Sequence, residues 1–256
     1  VNQLLQHIIE LSSQVGHAIM AIYQSDDFQR AAAVERKVDG SPLTRADRMA
    51  HSMISAGLAR LTPNYPQLSE EATLTPWSER QHWQRYWLID PLDGSKEFLQ
   101  RNGEFTVNIA LIEAGAPRLG VVFAPALQLL YSADVSAQQA FCNGQAIHTQ
   151  PPLCSNGPRR ILVSRSHASS ADSQTNLTGA GTVDTVIPMG SSLKFCHIAA
   201  GKADLYQRFG PTNEWDTAAG QAILEAAGGS VTSLDGKPLR YNQKEELLNP
   251  HFIARA

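Results

Sequence analysis

Between positions 86 and 142 the chain offers five strand-like runs, at 86–89, 105–113, 119–123, 129–132 and 139–142, separated by Gly, Pro and Asp turns. The last four are joined by connections too short for a crossover, so they are predicted to pair as an antiparallel meander. Before it, Leu4, Leu5, Ile8, Ile9, Val15, Ile19 and Ile22 recur at helical spacing and predict an amphipathic helix that ends before Ser25. Thr44-Arg45-Ala46-Asp47 has the form of a capping box with Asp in place of Glu. It predicts a second helix with Ala46, Met49, Ala50, Met53, Ile54 and Leu58 on the buried face and Asp47 in the first turn. Beyond a proline-bounded loop at 151–158, strands at 161–163 and 183–187 alternate with helices near 192–201 and 216–227. The expected class is α/β, an α+β sandwich: one unit over 1–256 with an α+β half at 1–155 and an α/β half at 156–256.

Composition narrows the function. Hydrophobic residues at 43% and charged residues at 18% argue against disorder. A net charge of -3 gives no general attraction to nucleic acid polymers or acidic lipid, so an anionic ligand must be held locally. The longest apolar stretch, 106–112, is far too short for a membrane span. No basic segment followed by an apolar block opens the chain, and Cys142, Cys154 and Cys196 form no CxxC pair, so a cytoplasmic location is expected.

The chemistry gathers at Asp90-Pro91-Leu92-Asp93-Gly94-Ser95. A strand at 86–89 is expected to deliver Asp90 to its end, Pro91 to fix a turn and Asp93-Gly94 to reverse the backbone. Two carboxylates and the Leu92 carbonyl then converge, a set of hard oxygen donors that suits Mg²⁺. Gly94 and Ser95 can open a helix through 96–99 whose free N–H groups face a phosphate oxygen. Glu70-Glu71 and Trp215-Asp216 add distant acids. Singly, these are good turn formers, a solvated acidic pair and a helix N-cap. Jointly they describe a Mg²⁺ site that hydrolyses phosphate esters. Cys154 and Arg160 satisfy the C-x₅-R spacing of cysteine phosphatases, but a proline-bounded loop leading into a strand is the wrong setting, and the match is treated as coincidence. No Walker A loop, GxGxxG turn, HExxH helix or GxSxG elbow is present.

Glu70-Glu71, the 90–95 segment and Trp215-Asp216-Thr217-Ala218-Ala219-Gly220 together resemble the three signatures of the Mg²⁺-dependent, lithium-sensitive inositol monophosphatase superfamily. The resemblance runs from Ser41-Pro42-Leu43 to Leu248-Asn249-Pro250 and implies a layered αβαβα sandwich. It implies two or three Mg²⁺ ions: Glu70, Asp90 and the Leu92 carbonyl on the first, and Asp90, Asp93 and Asp216 on the second. Asp47, Glu70 and Ser95 would serve the attacking water as catalytic residues. Ser95 stands where the family usually has Thr, which keeps the hydroxyl and loses the stiffening methyl.

The segments 190–196 and 206–216 further resemble the 3'(2'),5'-bisphosphate nucleotidase branch of that family. This implies adenosine 3',5'-bisphosphate as the small-molecule partner and a role in sulfate assimilation and nucleotide turnover. The resemblance also extends to a peripheral position at the inner face of the cell membrane. Gly94, Ser95, Gly190, Ser191, Ser192, Lys194, Arg208 and His167 are the expected substrate contacts, with Lys194 and Arg208 meeting the phosphate that does not react. Gln207, where the branch commonly has Pro, predicts a looser loop around Arg208. The alternatives are a phosphatase for inositol or sugar phosphates, or a nucleotide-sensing binder without turnover. Oligomeric state is left open.

Overall fold

The computed structural model describes residues 2–25, 28, 35–36, 42–150, 158–165 and 184–256. Helix α1 (Gln3–Tyr23) is capped by the Asn2 side chain. A two-residue pairing joins β1 (Glu35–Arg36) to β2 (Pro42–Leu43). Thr44 then caps α2 (Arg45–Leu61) through the expected box: its hydroxyl accepts from the Ala46 N–H at 3.1 Å while Asp47 Oδ2 accepts from the Thr44 N–H at 2.7 Å.

The predicted meander is the body of a seven-stranded sheet ordered β3 (Gln67–Ser69), β4 (Arg85–Asp93), β5 (Thr106–Glu113), β6 (Ala116–Ala124), β7 (Leu129–Asp134), β8 (Gln139–Cys142) and β9 (Gln145–Ala146). Only β3 runs parallel to its neighbour. A short helix α3 (Trp77–Arg80) precedes β4, and α4 (Ser95–Leu99) follows it.

One face of this sheet is covered by α1 and α2, where Leu5, Ile8, Val15, Ile19, Ile54 and Leu58 meet Trp87, Ile89, Ile109 and Val121. Each such side chain, fully buried, contributes about 1.5–3 kcal/mol of transfer free energy. The other face carries α5 (Leu193–Ala199) and α6 (Glu214–Ala226). Helix α6 approaches so closely at Gly120 that a Cβ there would lie 2.6 Å from the Ala222 Cβ and 2.7 Å from the Ala219 carbonyl oxygen.

Beyond these helices lies a five-stranded sheet ordered β11 (Thr185–Met189), β10 (Arg160–Ser164), β12 (Leu205–Arg208), β14 (Phe252–Arg255) and β13 (Ser230–Ser233). Its Leu162, Tyr206, Phe252 and Ala254 share one core with Leu88, Ala110 and Val122 of the large sheet, through Phe195, Trp215 and Ile223 of the middle helices. The described residues thus stack as α, β, α, β, the order of the expected sandwich.

Several local expectations shift. Strand β4 does not stop at Ile89: Asp90 pairs with Asn108 and Asp93 with Thr106, and a bulge between them absorbs Pro91. Arg208 lies on β12, with Gln207 paired to Ile253, so the segment is a strand held by β14 and not the looser loop expected from Gln207. Asp216 is the third residue of its helix, the cap being Asn213. Cys142 and Cys196 are free thiols, and Cys154 and His167 lie outside the described residues. Among the described residues no helix is long and apolar enough to cross a membrane.

Candidate metal and phosphate site

Three segments far apart in sequence are brought together by three local devices. The parallel register of β3 on β4 sets Ser69 beside Ile89, and the Glu70 N–H donates to the Ile89 carbonyl at 3.1 Å, so the next residues, Glu70 and Asp90, lie side by side. Asp90 then closes a short turn, its Oδ1 accepting from the Leu92 N–H at 3.1 Å. At the head of α6, Asp216 Oδ2 accepts from the Asn213 N–H at 2.8 Å, which orients its carboxyl. Oxygen atoms of Glu70, Asp90 and Asp216 all lie within 4.8 Å of one another.

Such crowding is unfavourable without a cation. Burial, and then the Glu70, Asp93 and Asp216 carboxylates, hold the Asp90 carboxyl well above the usual carboxylate range. Asp216 is raised for the same reasons, burial first and then Asp93 and Glu70. A cluster of oxygen donors around a buried Asp90, in which Asp90 and Asp216 resist ionising beside their neighbours, is what a divalent ion relieves, so these residues fit one.

Asp93 is placed differently. Its Oδ2 accepts from the Ser192 N–H at 2.7 Å, the Ser192 hydroxyl at 2.9 Å and Asn108 Nδ2 at 3.3 Å. Burial raises its carboxyl, while the Lys194 cation and Ser192 pull it back. Gly94, at φ +85°, turns the chain from β4 into α4. Ser95 opens that helix with its hydroxyl 3.1 Å from Asp47 Oδ1 and 3.4 Å from the Leu92 carbonyl oxygen. Asp47, almost fully buried, thereby ties α2 to the site across the sheet edge.

Glu70, Asp90, Asp93, Ser95 and Asp216 line a cavity of about 520 Å³. Lys194 and Arg208 line the same cavity, each only 5% exposed, so neither is the solvated surface charge it would be in isolation. Lys194 Nζ donates to the carbonyls of Ser191, at 2.6 Å, and Met189, at 3.3 Å, and sits 5.1 Å from the centre of the Tyr206 ring. Burial outweighs the nearby Asp93 carboxylate and brings the lysine down to about 8. Arg208 Nη2 donates to the Pro211 carbonyl at 3.1 Å.

The expected donors at 190–192 are mostly committed elsewhere. The Gly190 N–H goes to Glu104 Oε2 at 2.7 Å and the Ser192 N–H to Asp93, so neither is available to a phosphate. Of the three, Ser191 alone lines the cavity. Glu104 also takes the Arg165 guanidinium in a fork, at 2.7 Å on each arm. Pro211 and Thr212 lie in the 206–216 segment and Leu248 at the end of the family resemblance, but nothing in the sequence singles them out as contacts, and Phe252 has no signal, because all four reach the cavity only through tertiary packing.

A layered sandwich whose cavity is lined by three clustered carboxylates and two buried cations defines a protein built to hold a divalent metal ion beside an anionic ligand. The chain belongs to the inositol monophosphatase family, whose family model matches residues 1–255. It is 49% identical over 249 residues to the 3'(2'),5'-bisphosphate nucleotidase CysQ of Escherichia coli K12, covering 97% of this chain and 98% of that one. A CysQ from Haemophilus influenzae is 34% identical over 252 residues, covering 98% and 91%. The crystal structure of CysQ from Bacteroides thetaiotaomicron superposes with a TM-score of 0.80 at 38% identity, covering 98% of this chain and 96% of that one.

Proposed function

We infer that the chain is a Mg²⁺-dependent phosphatase that hydrolyses the 3'-phosphate of adenosine 3',5'-bisphosphate, giving AMP and phosphate. The observation that carries this reading is the Glu70, Asp90 and Asp216 cluster sharing one cavity with the buried cations Lys194 and Arg208. A site for two phosphates needs both signs of charge, the acids for a metal-assisted reaction and the cations for the phosphate left intact. The names of the relatives that match nearly the whole chain agree.

Glu70, Asp90 and the Leu92 carbonyl would hold one ion, and Asp90, Asp93 and Asp216 a second, with a third arriving alongside substrate. Bound there, Mg²⁺ supplies positive charge to the phosphoryl oxygens and the leaving 3' oxygen and makes the attacking water more acidic. The chain's own residues do the rest. The Gly94–Ser95 turn and Ser191 orient the reacting phosphate, while Lys194 and Arg208 hold the 5'-phosphate as a point charge and a planar fork. Ser95 takes the proton of the attacking water and passes its own to Asp47, whose Oδ1 it faces at 3.1 Å. Attack is in line, and no covalent intermediate is required.

The test is phosphate release from adenosine 3',5'-bisphosphate and inositol 1-phosphate side by side, with Mg²⁺ titrated and Li⁺ added. The nucleotide should be preferred and Li⁺ should inhibit. A preference for the inositol ester overturns the substrate assignment.

A further inference from the structure

Leu248 is 45% exposed although Leu247 beside it and Phe252 after it are buried, and it lines the cavity. An exposed leucine is ordinary, but this one is held unusually firmly. Residues 212–214 and 247–249 pair as a short antiparallel bridge: the Glu214 N–H donates to the Leu247 carbonyl at 2.8 Å and the Asn249 N–H to the Thr212 carbonyl at 2.8 Å. The Asn249 side-chain amide then donates to the Asn213 carbonyl at 2.7 Å and lies 3.1 Å from Thr217 Oγ1. The bridge ends at Asn213, the cap of the helix that carries Asp216. Leu248 is therefore in fixed register with Asn213, the helix cap three residues before Asp216.

The cavity lining carries carboxylates and the cations Lys194 and Arg208, and Pro211, Thr212 and Leu248 add uncharged groups to it. Once both phosphates of a nucleoside bisphosphate are placed on the charged residues, its remaining large group is a flat, mostly apolar ring. We propose that Leu248 is the shelf that receives the nucleobase and so sets the preference for a nucleoside over a base-free sugar bisphosphate. This rests on the phosphatase reading above.

The test separates the two. Binding is measured by calorimetry with Ca²⁺ in place of Mg²⁺, for wild type and Leu248→Ala, using adenosine 3',5'-bisphosphate and its abasic tetrahydrofuran analogue. Phosphate release is measured separately with Mg²⁺. The wild type should favour the nucleoside compound, and Leu248→Ala should shrink that preference on the order of fivefold, the effect of removing part of an apolar contact in a pocket. Leu248→Met should restore it. An unchanged ratio between the two ligands in Leu248→Ala, or equal weakening of both, overturns the shelf. Binding with the predicted ratio but no phosphate release leaves the shelf standing and sinks the phosphatase reading.

Discussion

The acidic and the cationic residues of the cavity are placed by different means. The carboxylates are assembled from short-range geometry: a parallel register beside Ile89, an Asx turn at Asp90 and the third position of a capped helix at Asp216. The cations depend on long-range packing, with Lys194 and Arg208 buried where α5, β12 and α6 meet and the backbone at Gly190 tied down by Glu104 from the loop before β5. Mutations among the acids should therefore act on metal and rate. Those among the cations and their supports should act on substrate affinity.

The largest expected effect is at Asp90. Asp90→Asn should lower kcat/KM at least about 10³-fold, in line with the several kcal/mol of charge stabilisation a bound divalent ion supplies. It should also make the metal-free protein melt higher toward neutral pH, because it removes a buried carboxyl that must either keep a proton or ionise beside other acids. The pH dependence has a definite sign. Asp90 and Asp216 are raised in the folded state, so that state binds their protons more tightly than the unfolded chain does. Metal-free stability should thus fall as pH rises from the ordinary carboxylate range toward neutrality, and Mg²⁺ should restore it. Thermal melts across pH, with and without Mg²⁺, check this. A wild-type melt insensitive to Mg²⁺ would erase the distinction between the acids and the cations.

Next in size is Ser95. Ser95→Ala should cut kcat by about 10²-fold, the usual worth of a positioned proton-transfer group, with little change in KM. Ser95→Thr should recover the rate, since it keeps the hydroxyl that faces Asp47. An equal loss in both variants would assign the effect to the turn and not to proton transfer.

Among the supports of the cations, Glu104→Gln weakens the fork to Arg165 and the bond from the Gly190 N–H. Losing a charged acceptor there should raise KM on the order of tenfold while kcat moves much less. Arg165→Lys, which leaves the Gly190 bond intact, should show a smaller KM effect. A fall in kcat with KM unchanged would place Glu104 in the rate-determining chemistry instead.

The smallest effect is the pH response of Lys194, which burial brings to about 8. Below that pH it is a cation and holds the phosphate; above it the charge is lost and KM should climb. Lys194→Met should show a higher KM and no such rise. A wild-type KM flat from pH 7 to 9.5 would remove Lys194 from phosphate binding.

The same contrast explains what was legible in the sequence. The meander was readable because short connections force antiparallel pairing, and α2 because Thr44 and Asp47 cap it within one turn. The acids were readable because each sits in a local motif. What the sequence concealed is the fate of the backbone donors at 190 and 192, since nothing local reveals that Glu104 and Asp93 reach them across 86 and 99 positions. The strand identity of Arg208 was hidden likewise, because β12 exists only through pairing with β10 and β14. Pro91 misled in the opposite direction: it read as the end of a strand, but a bulge lets β4 run on to Asp93.

The central claim is that Glu70, Asp90 and Asp216 jointly hold a divalent ion. Crystals soaked in Mn²⁺ and measured at its absorption edge test it most directly. Anomalous density within about 2.0–2.5 Å of carboxylate oxygens from these residues is the predicted result. Density confined to other carboxylates, or none at saturating Mn²⁺, would contradict it.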